Sequence, residues 1–218
     1  MKYEAILFDM DGVLIDSEEL MAKSGILGLR DYGINAVPED FVPFVGCGEN
    51  RYIGGVAEKH GVPFDPEMKE RAYYYYGLYV EEEAQVPPEV RIVLPKLKQM
   101  GLKIAVCTSG DWNKVVHNLR AIGVDRSIFD GFVTGDNITH LKPDPEIYLK
   151  GASIIGAAPE KCLVVEDAPS GILAGHAAGM DVAAITSTFD EAYLRKNGGD
   201  PEYVIKKLDE LPEIAENS

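Results

Sequence analysis

Two aspartates follow the first apolar segment of the chain, and their spacing places them on one side of an extended backbone. Asp9 and Asp11 come directly after the run at residues 3–8 (YEAILF). Side chains two residues apart in an extended segment point the same way. Two such carboxylates repel each other unless a cation or a shared proton relieves them. Gly12 then permits a sharp turn, and an acidic turn after an edge strand is the alternative interpretation.

A second acidic pair follows another apolar run. Glu166 and Asp167 come after residues 162–165 (CLVV). Carboxylates in such a place need a cation, and a set of ligands made only of oxygen suits Mg²⁺, which keeps several waters and takes a substrate phosphate. The competing interpretation is a solvated N-cap for the next helix, and Asp167 could serve both purposes.

Two further segments offer groups that bind anions. Thr108, Ser109 and Gly110 join a strand to a helix N-terminus, where a hydroxyl, backbone N–H groups and the helix dipole face an anion. Lys142 is followed by prolines at 143 and 145, which stiffen its loop, and a fixed ammonium binds a phosphate oxygen as a point charge. A simple helix cap and an ordinary surface lysine are the alternatives.

The elements that must position these groups follow from the pattern of apolar residues. Short apolar runs predict buried strands at 3–8, 102–107, 132–133, 162–165 and 182–185. Segments of helical period separate them, and one of these has an apolar stripe with Asp111 as N-cap and Gly123 after its end. Its members are Trp112, Val115, Val116, Leu119 and Ile122.

Alternation of strand and helix predicts an α/β fold with a doubly wound parallel sheet covered on both faces. Ligands of such sheets collect outside the carboxyl ends of the strands, and all four motifs fall there or in the adjoining loops. A further helix is expected with Asp144 as its cap and Pro145 as its first residue.

Residues 16–88 interrupt this alternation, because they contain helical patterns and no buried strand. Asp16 and Glu19 could form a capping box, and further helices are expected at 39–45, 50–60 and 66–83. We therefore predict an α/β domain made of residues 1–15 and 89–218, with an all-helical domain of residues 16–88 inserted after the first strand.

The composition limits the partners of the chain. Its 218 residues include 21 Lys and Arg against 36 Asp and Glu, a net charge of −15. Such a charge disfavours nucleic acid and anionic membranes, so an anionic substrate needs local positive charge at the site. The three cysteines form no CxxC motif, which argues against a disulfide scaffold or a zinc site. With no signal peptide or membrane span evident, we expect a cytoplasmic monomer.

The ordered motifs resemble the haloacid dehalogenase superfamily, in particular its β-phosphoglucomutase-like phosphatases. They are DMDGV at 9–13, Thr108-Ser109, KPDP at 142–145 and Glu166-Asp167. The resemblance covers essentially the whole chain and implies a Rossmann-like core with a helical cap. It implies that Asp9 forms an aspartyl-phosphate, and that Asp11 is the general acid and base whose carbonyl also touches Mg²⁺. Thr108 and Lys142 would hold the phosphoryl group, while Asp167 would bind Mg²⁺ with Glu166 beside it or acting through water.

The resemblance leaves the substrate open. We expect hydrolysis of a small phosphorylated metabolite, with a sugar phosphate as the best candidate. A β-phosphoglucomutase-type mutase is the main alternative, but the cap histidine of that enzyme aligns with Met21 here and its cap arginine with Glu49. Arg51 could replace that charge. The segment that includes Gly46, Glu49, Asn50 and Arg51 is expected to face the substrate.

Three other functions fit the sequence less well. A dehalogenase uses a lone aspartate without metal, whereas Asp11 and the pair Glu166-Asp167 argue for phosphoryl transfer. A non-catalytic binding protein on the same scaffold is disfavoured because Asp9 and Asp11 are both present. An oxidoreductase that binds a dinucleotide would need a G-x-G-x-x-G motif after the first strand, and that motif is absent from the sequence there.

Overall fold

The computed structural model describes residues 1–44 and 48–217 and contains one six-stranded sheet. All neighbouring strands in it are parallel, in the order β3-β2-β1-β4-β5-β6. The expected doubly wound α/β fold is therefore confirmed. The strands are β1 (Ala5–Phe8), β2 (Lys103–Cys107), β3 (Gly131–Val133), β4 (Cys162–Glu166), β5 (Asp181–Ile185) and β6 (Tyr203–Ile205).

Strand β1 lies in the middle of the sheet because both of its faces are apolar. Its four residues are fully buried. Ile6 and Phe8 belong to the apolar cluster on one face, and Ala5 and Leu7 belong to the cluster on the other. Because β1 pairs with β2 on one side and β4 on the other, the chain order reverses at β1. The carboxyl end of this strand is thus where a doubly wound sheet opens a crevice.

The structure has ten helices among the residues described. They are α1 (Glu18–Arg30), α2 (Pro38–Phe41), α3 (Glu49–Lys59), α4 (Pro66–Glu83), α5 (Val90–Gln99), α6 (Trp112–Ile122), α7 (Glu146–Ile155), α8 (Pro169–Ala177), α9 (Glu191–Gly198) and α10 (Leu211–Asn217). None of the helices in this part of the chain is long and apolar enough to cross a membrane.

Helices α1 to α4 follow β1 before the chain returns to the sheet, and we call them the inserted helices. Helix α1 packs along α4, and α4 also packs along α6 beside the sheet. The two connecting segments lie side by side, since Asp16 N–H donates to the Gln85 carbonyl at 2.7 Å and Gln85 N–H donates to the Asp16 carbonyl at 2.9 Å. The inserted helices therefore leave and rejoin the rest of the chain at one place.

Several local expectations need correction. Helix α1 begins at Glu18, so Ser17 and not Asp16 is its N-cap, and the Ser17 side chain makes no cap bond because its hydroxyl is directed to Asp11. Asp16 accepts only a long bond from Glu18 N–H at 3.4 Å. Helix α7 begins one residue later than expected, with Pro145 as its N-cap. Asp144 still accepts a bond from the first helical N–H, at 2.9 Å.

The apolar stripe of α6 also differs from the expectation. Trp112 and Val116 are 37% and 39% exposed, whereas the helix buries Lys114 and Asn118 beside Val115. At the start of the helix, Trp112 packs edge-on against Phe132 instead of entering the core. Strand β6 was missed altogether, because its three residues, of which only Ile205 is buried, form too short a run to indicate a strand.

Candidate active site

The side chains predicted to form the site meet at the carboxyl ends of the three central strands. Asp9 directly follows β1, Thr108 follows β2, and Glu166 is the last residue of β4. Asp9 N–H still bonds to the Val165 carbonyl at 3.0 Å, so the first aspartate is fixed by the sheet itself. A cleft of about 270 Å³ opens here, and its lining includes Asp9, Asp11, Glu49, Thr108, Ser109, Gly110, Lys142, Glu166 and Asp167.

Three carboxylates form a buried cluster on the floor of the cleft. One oxygen from each of Asp9, Glu166 and Asp167 lies within 4.8 Å of the others, and all three residues are buried. Lys142 donates to Asp9 Oδ1 at 2.7 Å and to Glu166 Oε1 at 2.5 Å. One ammonium against three carboxylates leaves two negative charges uncompensated when all are ionised.

The surroundings of the cluster oppose this ionisation. Burial, followed by the charge of Glu166, raises the pKa of Asp9 to about 7, although Lys142 opposes the shift. Burial and Glu166 also raise the pKa of Asp167 well above its ordinary value. A carboxylate removed from water keeps its proton unless a cation compensates for it. A divalent cation would supply the missing positive charge.

The donor set and its packing fit a hard divalent cation. All three groups offer oxygen, the ligand atom that Mg²⁺ prefers. Gly12 has φ of 73°, and a Cβ there would lie 2.0 Å from Asp167 Oδ2, so only glycine permits this approach. Thr188 donates a hydrogen bond to the same oxygen and so orients the carboxylate from behind, as outer partners of metal ligands do.

Glu166 differs from the other two acids because protein donors surround it. Its Oε1 accepts from Lys142 and from the Tyr148 hydroxyl at 2.8 Å, and its Oε2 accepts the backbone N–H of Asp167 and Ala168 at 3.0 and 3.1 Å. Gly171 makes room, since a Cβ there would lie 1.7 Å from Glu166 Oε1. Four donors occupy the lone pairs of this carboxylate, which leaves it little capacity for direct ligation.

Asp11 stands in different surroundings, between the sheet and the inserted helices. The Ser17 hydroxyl donates to its Oδ1 at 2.6 Å, and Lys114 donates to its Oδ2 at 2.9 Å. Lys114 is only 6% exposed and also lies 3.7 Å from Glu49 of α3. A lysine one turn into α6 thus connects the second aspartate with the inserted helices.

The strand-to-helix turn at Thr108 offers only part of the expected anion site. Thr108 is buried, and its hydroxyl accepts Gly110 N–H at 3.1 Å. One N–H of the helix N-terminus is already used, because Asp136 accepts Trp112 N–H at 2.6 Å. Asp111, the N-cap, makes no cap bond with its side chain and instead pairs with Lys69 of α4 at 2.5 Å. The hydroxyl of Thr108 and the turn at Ser109-Gly110 remain to contact an anion.

The inserted helices cover the cleft with few of the expected residues. Glu49 reaches the lining, and Gly46 lies outside the described residues. Asn50 and Arg51 are not among the described residues that line the cleft. Arg51 bonds to Glu58 at 2.5 Å and lies over the Phe44 ring. In this structure it therefore does not supply the positive charge of the mutase arginine that aligns with Glu49.

Four supporting residues escaped the sequence analysis: Ser17, Lys114, Tyr148 and Thr188. The sequence contains one weak signal for Lys114, since Lys114 and Asn118 are polar residues four positions apart beside an apolar stripe. Lysines in that position ordinarily extend into solvent, so this signal alone predicts nothing. Tyr148 and Thr188 contact acids 18 and 21 residues away, whereas Ser17 contacts Asp11 six residues away. All three become relevant only when the fold is known.

Comparison with known proteins gives one family. The model of the family "Haloacid dehalogenase-like hydrolase" matches residues 6–185. Pyrophosphatase PpaX of Bacillus cereus is 31% identical over 219 residues, covering 100% of the chain and 98% of that protein. A phosphorylated carbohydrates phosphatase of Thermotoga maritima is 33% identical over 188 residues, covering 82% of each.

Two further similarities have a narrower reach. Protein SUPPRESSOR OF QUENCHING 1, chloroplastic, of Arabidopsis thaliana is 38% identical over 201 residues, which are 90% of the chain but only 19% of that longer protein. The crystal structure of a β-phosphoglucomutase from Clostridium difficile superposes with a TM-score of 0.78 at 22% identity, covering 98% of the chain and 96% of that structure. At this identity the second match supports the fold alone.

Proposed function

The chain belongs to the haloacid dehalogenase-like hydrolases, and we propose that it is a Mg²⁺-dependent phosphatase that forms an aspartyl-phosphate on Asp9. The observation that carries this proposal is the buried cluster of Asp9, Glu166 and Asp167, in which one lysine faces three carboxylates. Such an excess of negative charge is costly unless it serves a cation, and it surrounds the proposed nucleophile.

Asp9 attacks first. A carboxylate oxygen of Asp9 forms a bond to phosphorus while the bond between phosphorus and the ester oxygen breaks. Lys142 lies 2.7 Å from Asp9 and is placed to stabilise charge on the phosphoryl oxygens. Thr108 and the turn at Ser109-Gly110 orient the phosphoryl group. The result is a phosphorylated Asp9 and a departing alkoxide.

Asp11 handles the protons. Its carboxylic acid gives a proton to the departing oxygen, and its carboxylate then takes one from the water that attacks the aspartyl-phosphate. The second attack breaks the bond between phosphorus and Asp9, releases inorganic phosphate and restores both aspartates. Ser17 and Lys114 hold Asp11 at the mouth of the cluster, so they fix where these protons move.

Asp9 and Asp167 would hold Mg²⁺ directly, together with the backbone carbonyl of Asp11. We place Glu166 outside this inner set, acting through water, because four protein donors already surround its oxygens. When bound, the ion supplies positive charge to the phosphoryl oxygens. The inserted helices, within residues 16–88, would form the cap over the core made of residues 1–15 and 89–218.

The substrate we propose is a small phosphorylated metabolite, with a sugar phosphate favoured by the similarity to the phosphorylated carbohydrates phosphatase of Thermotoga maritima. A mutase is the weaker candidate. Such an enzyme must hold a bisphosphate, yet the inserted helices bring Glu49 to the cleft and Arg51 is paired with Glu58.

The decisive experiment follows hydrolysis of p-nitrophenyl phosphate together with chemical trapping of the phosphoenzyme. We expect activity with Mg²⁺, its loss in EDTA, its return on adding Mg²⁺, and phosphate attached to Asp9 in the trapped peptide. Full activity in EDTA or phosphate on another residue would refute the mechanism. Supplying β-glucose 1-phosphate with a bisphosphate primer tests the mutase, which requires glucose 6-phosphate to form faster than free phosphate.

A further inference from the structure

The cleft contains few cations beyond those that the chemistry uses. Among the described residues that line it, Lys114 and Lys142 are the cationic side chains. Lys142 bonds to Asp9 and Glu166, and Lys114 bonds to Asp11. Residues 45–47 are Val, Gly and Cys and therefore add no cationic side chain. One phosphoryl group can meet these lysines, but a second anion on the same substrate finds no other partner.

The wall of the cleft that the inserted helices contribute is acidic. Glu49 lies there with its side chain only 11% exposed, and its nearest cation is Lys114 at 3.7 Å. Burial raises the pKa of Glu49, and nearby Asp11 acts in the same direction, while Lys114 opposes them. Glu18 also lines the cleft. A leaving group with its own negative charge would meet these carboxylates in a site of low dielectric constant.

The remainder of this wall suits carbon atoms. Met21, Phe44 and Tyr52 line the same side of the cleft, and aromatic rings and a flexible thioether pack against apolar surface. A ring or short carbon chain could lie against them, with its hydroxyl or ammonium groups directed to Glu49. Carboxylates accept hydrogen bonds and donate none when ionised.

We propose that Glu49 selects phosphate monoesters whose leaving alcohol carries no second negative charge, and that it accepts a hydrogen bond from a hydroxyl or ammonium group of that alcohol. The inference rests on the proposed phosphatase function and adds a substrate class to it. It also separates the chain from its relative named a pyrophosphatase, because pyrophosphate presents a second phosphate in place of the alcohol.

The test uses three two-carbon esters that differ in charge: O-phosphoethanolamine, 2-hydroxyethyl phosphate and 2-phosphoglycolate. We expect kcat/KM to be at least about tenfold lower for phosphoglycolate than for the neutral ester, since like charges in contact are strongly unfavourable. If the enzyme hydrolyses p-nitrophenyl phosphate but none of the three esters, 2-phosphoglycolate should inhibit that reaction more weakly than 2-hydroxyethyl phosphate does. Equal values, or a preference for phosphoglycolate, would overturn the inference.

Variants of Glu49 assign the effect. Glu49→Gln should reduce the ratio of kcat/KM for the neutral ester to kcat/KM for the anionic ester. Glu49→Arg should reverse the preference. Glu82→Arg, the same charge change at an exposed position of α4, should leave the ratio as it is. A ratio that Glu49→Gln leaves unchanged would contradict the role of Glu49, even if Glu49→Arg does not fold. Absence of p-nitrophenyl phosphate hydrolysis in the native protein would instead refute the proposed function itself.

Discussion

Asp9 and Asp11 are two residues apart, yet they belong to different parts of the molecule. Asp9 is held by the sheet, through a backbone bond to β4 and through Lys142 from the loop before α7. Asp11 is held by Ser17 at the start of the inserted helices and by Lys114 of α6, which also approaches Glu49. The proposed nucleophile therefore depends on the core, whereas the proposed acid and base depends on the contact between core and inserted helices.

This difference suits the two tasks. A nucleophile must stay aligned with a fixed phosphoryl site, and strand ends provide such rigidity. In the proposed mechanism the proton donor meets leaving groups that differ between substrates, and the inserted helices line the cleft where those groups would lie. Under the proposed function, the link from Asp11 to Glu49 through Lys114 would let the surface that meets the leaving group also position the proton donor.

The largest expected effect separates the two aspartates directly. Asp9→Asn should lower kcat by about 10⁶-fold, the scale for removal of a nucleophile, and should abolish phosphoenzyme. Asp11→Asn should lower kcat by about 10²–10⁴-fold and still allow trapping with p-nitrophenyl phosphate, whose leaving group needs little protonation. Quenched-flow kinetics and peptide mass spectrometry measure both. Trapped phosphoenzyme in Asp9→Asn would end the distinction.

Lys114→Met tests whether the contact between core and inserted helices positions the acid. We expect kcat to fall by about 10²-fold, the scale of a misplaced catalytic group, with phosphoenzyme still formed. Removing one partner of a buried ion pair also destabilises a protein by about 3–5 kcal/mol, so circular dichroism must establish that the variant is folded. Lys114→Arg should recover part of the activity, and unchanged kcat and pH profile in folded Lys114→Met would exclude the role.

Thr188→Val tests the core side of the comparison. Loss of the hydroxyl that bonds to Asp167 should raise the Mg²⁺ concentration for half-maximal activity by about 10–100-fold, with little change in kcat at saturation. Ser170, which also lines the cleft, gives a control variant, Ser170→Ala. An unaltered Mg²⁺ requirement in Thr188→Val would show that Asp167 needs no such support.

Tyr76→Phe tests the packing of α4 against α6, the helix that carries Lys114. The Tyr76 hydroxyl donates to the buried Asn118 of α6, and leaving that amide unpaired should lower the free energy of unfolding by about 1–3 kcal/mol. Tyr74→Phe, at a half-exposed position of the same helix, should change it by less than about 0.5 kcal/mol. Denaturant titration compares the two, and equal effects would deny the bond its importance.

The smallest expected effect is on the pH dependence of stability, and it concerns His117 where α6 packs against α4. Burial, followed by the charge of Arg120, lowers the pKa of His117, although Glu81 of α4 opposes the shift. The unfolded chain therefore takes up a proton first, so this contribution to stability is present above about pH 6.5 and is lost as pH falls toward the lower folded value. His117→Gln should flatten stability against pH in that window. An unchanged slope would place the acid sensitivity elsewhere.

The sequence predicts the core side of the site far better than the other side. All five predicted strands end within one residue of the observed boundary, and four of them also begin within one, because buried parallel strands are short apolar runs bounded by turns. Asp9, Thr108 and Glu166 then meet because parallel strands end at the same edge. Lys114, Tyr148 and Thr188 were missed, because their roles arise from contacts with residues distant in the chain.

The paired segments at Asp16 and Gln85 have a consequence for how such a chain can change. Because the insertion begins and ends at one hydrogen-bonded pair, it connects to the rest of the chain in the same way as a tight turn. A longer segment between these fixed ends adds little to the entropic cost of closing the loop. Whole segments between these positions can therefore be exchanged, lengthened or shortened without disturbing the order of the strands. New recognition surfaces can arise by grafting, while the strand ends that carry Asp9, Thr108 and Glu166 are inherited intact.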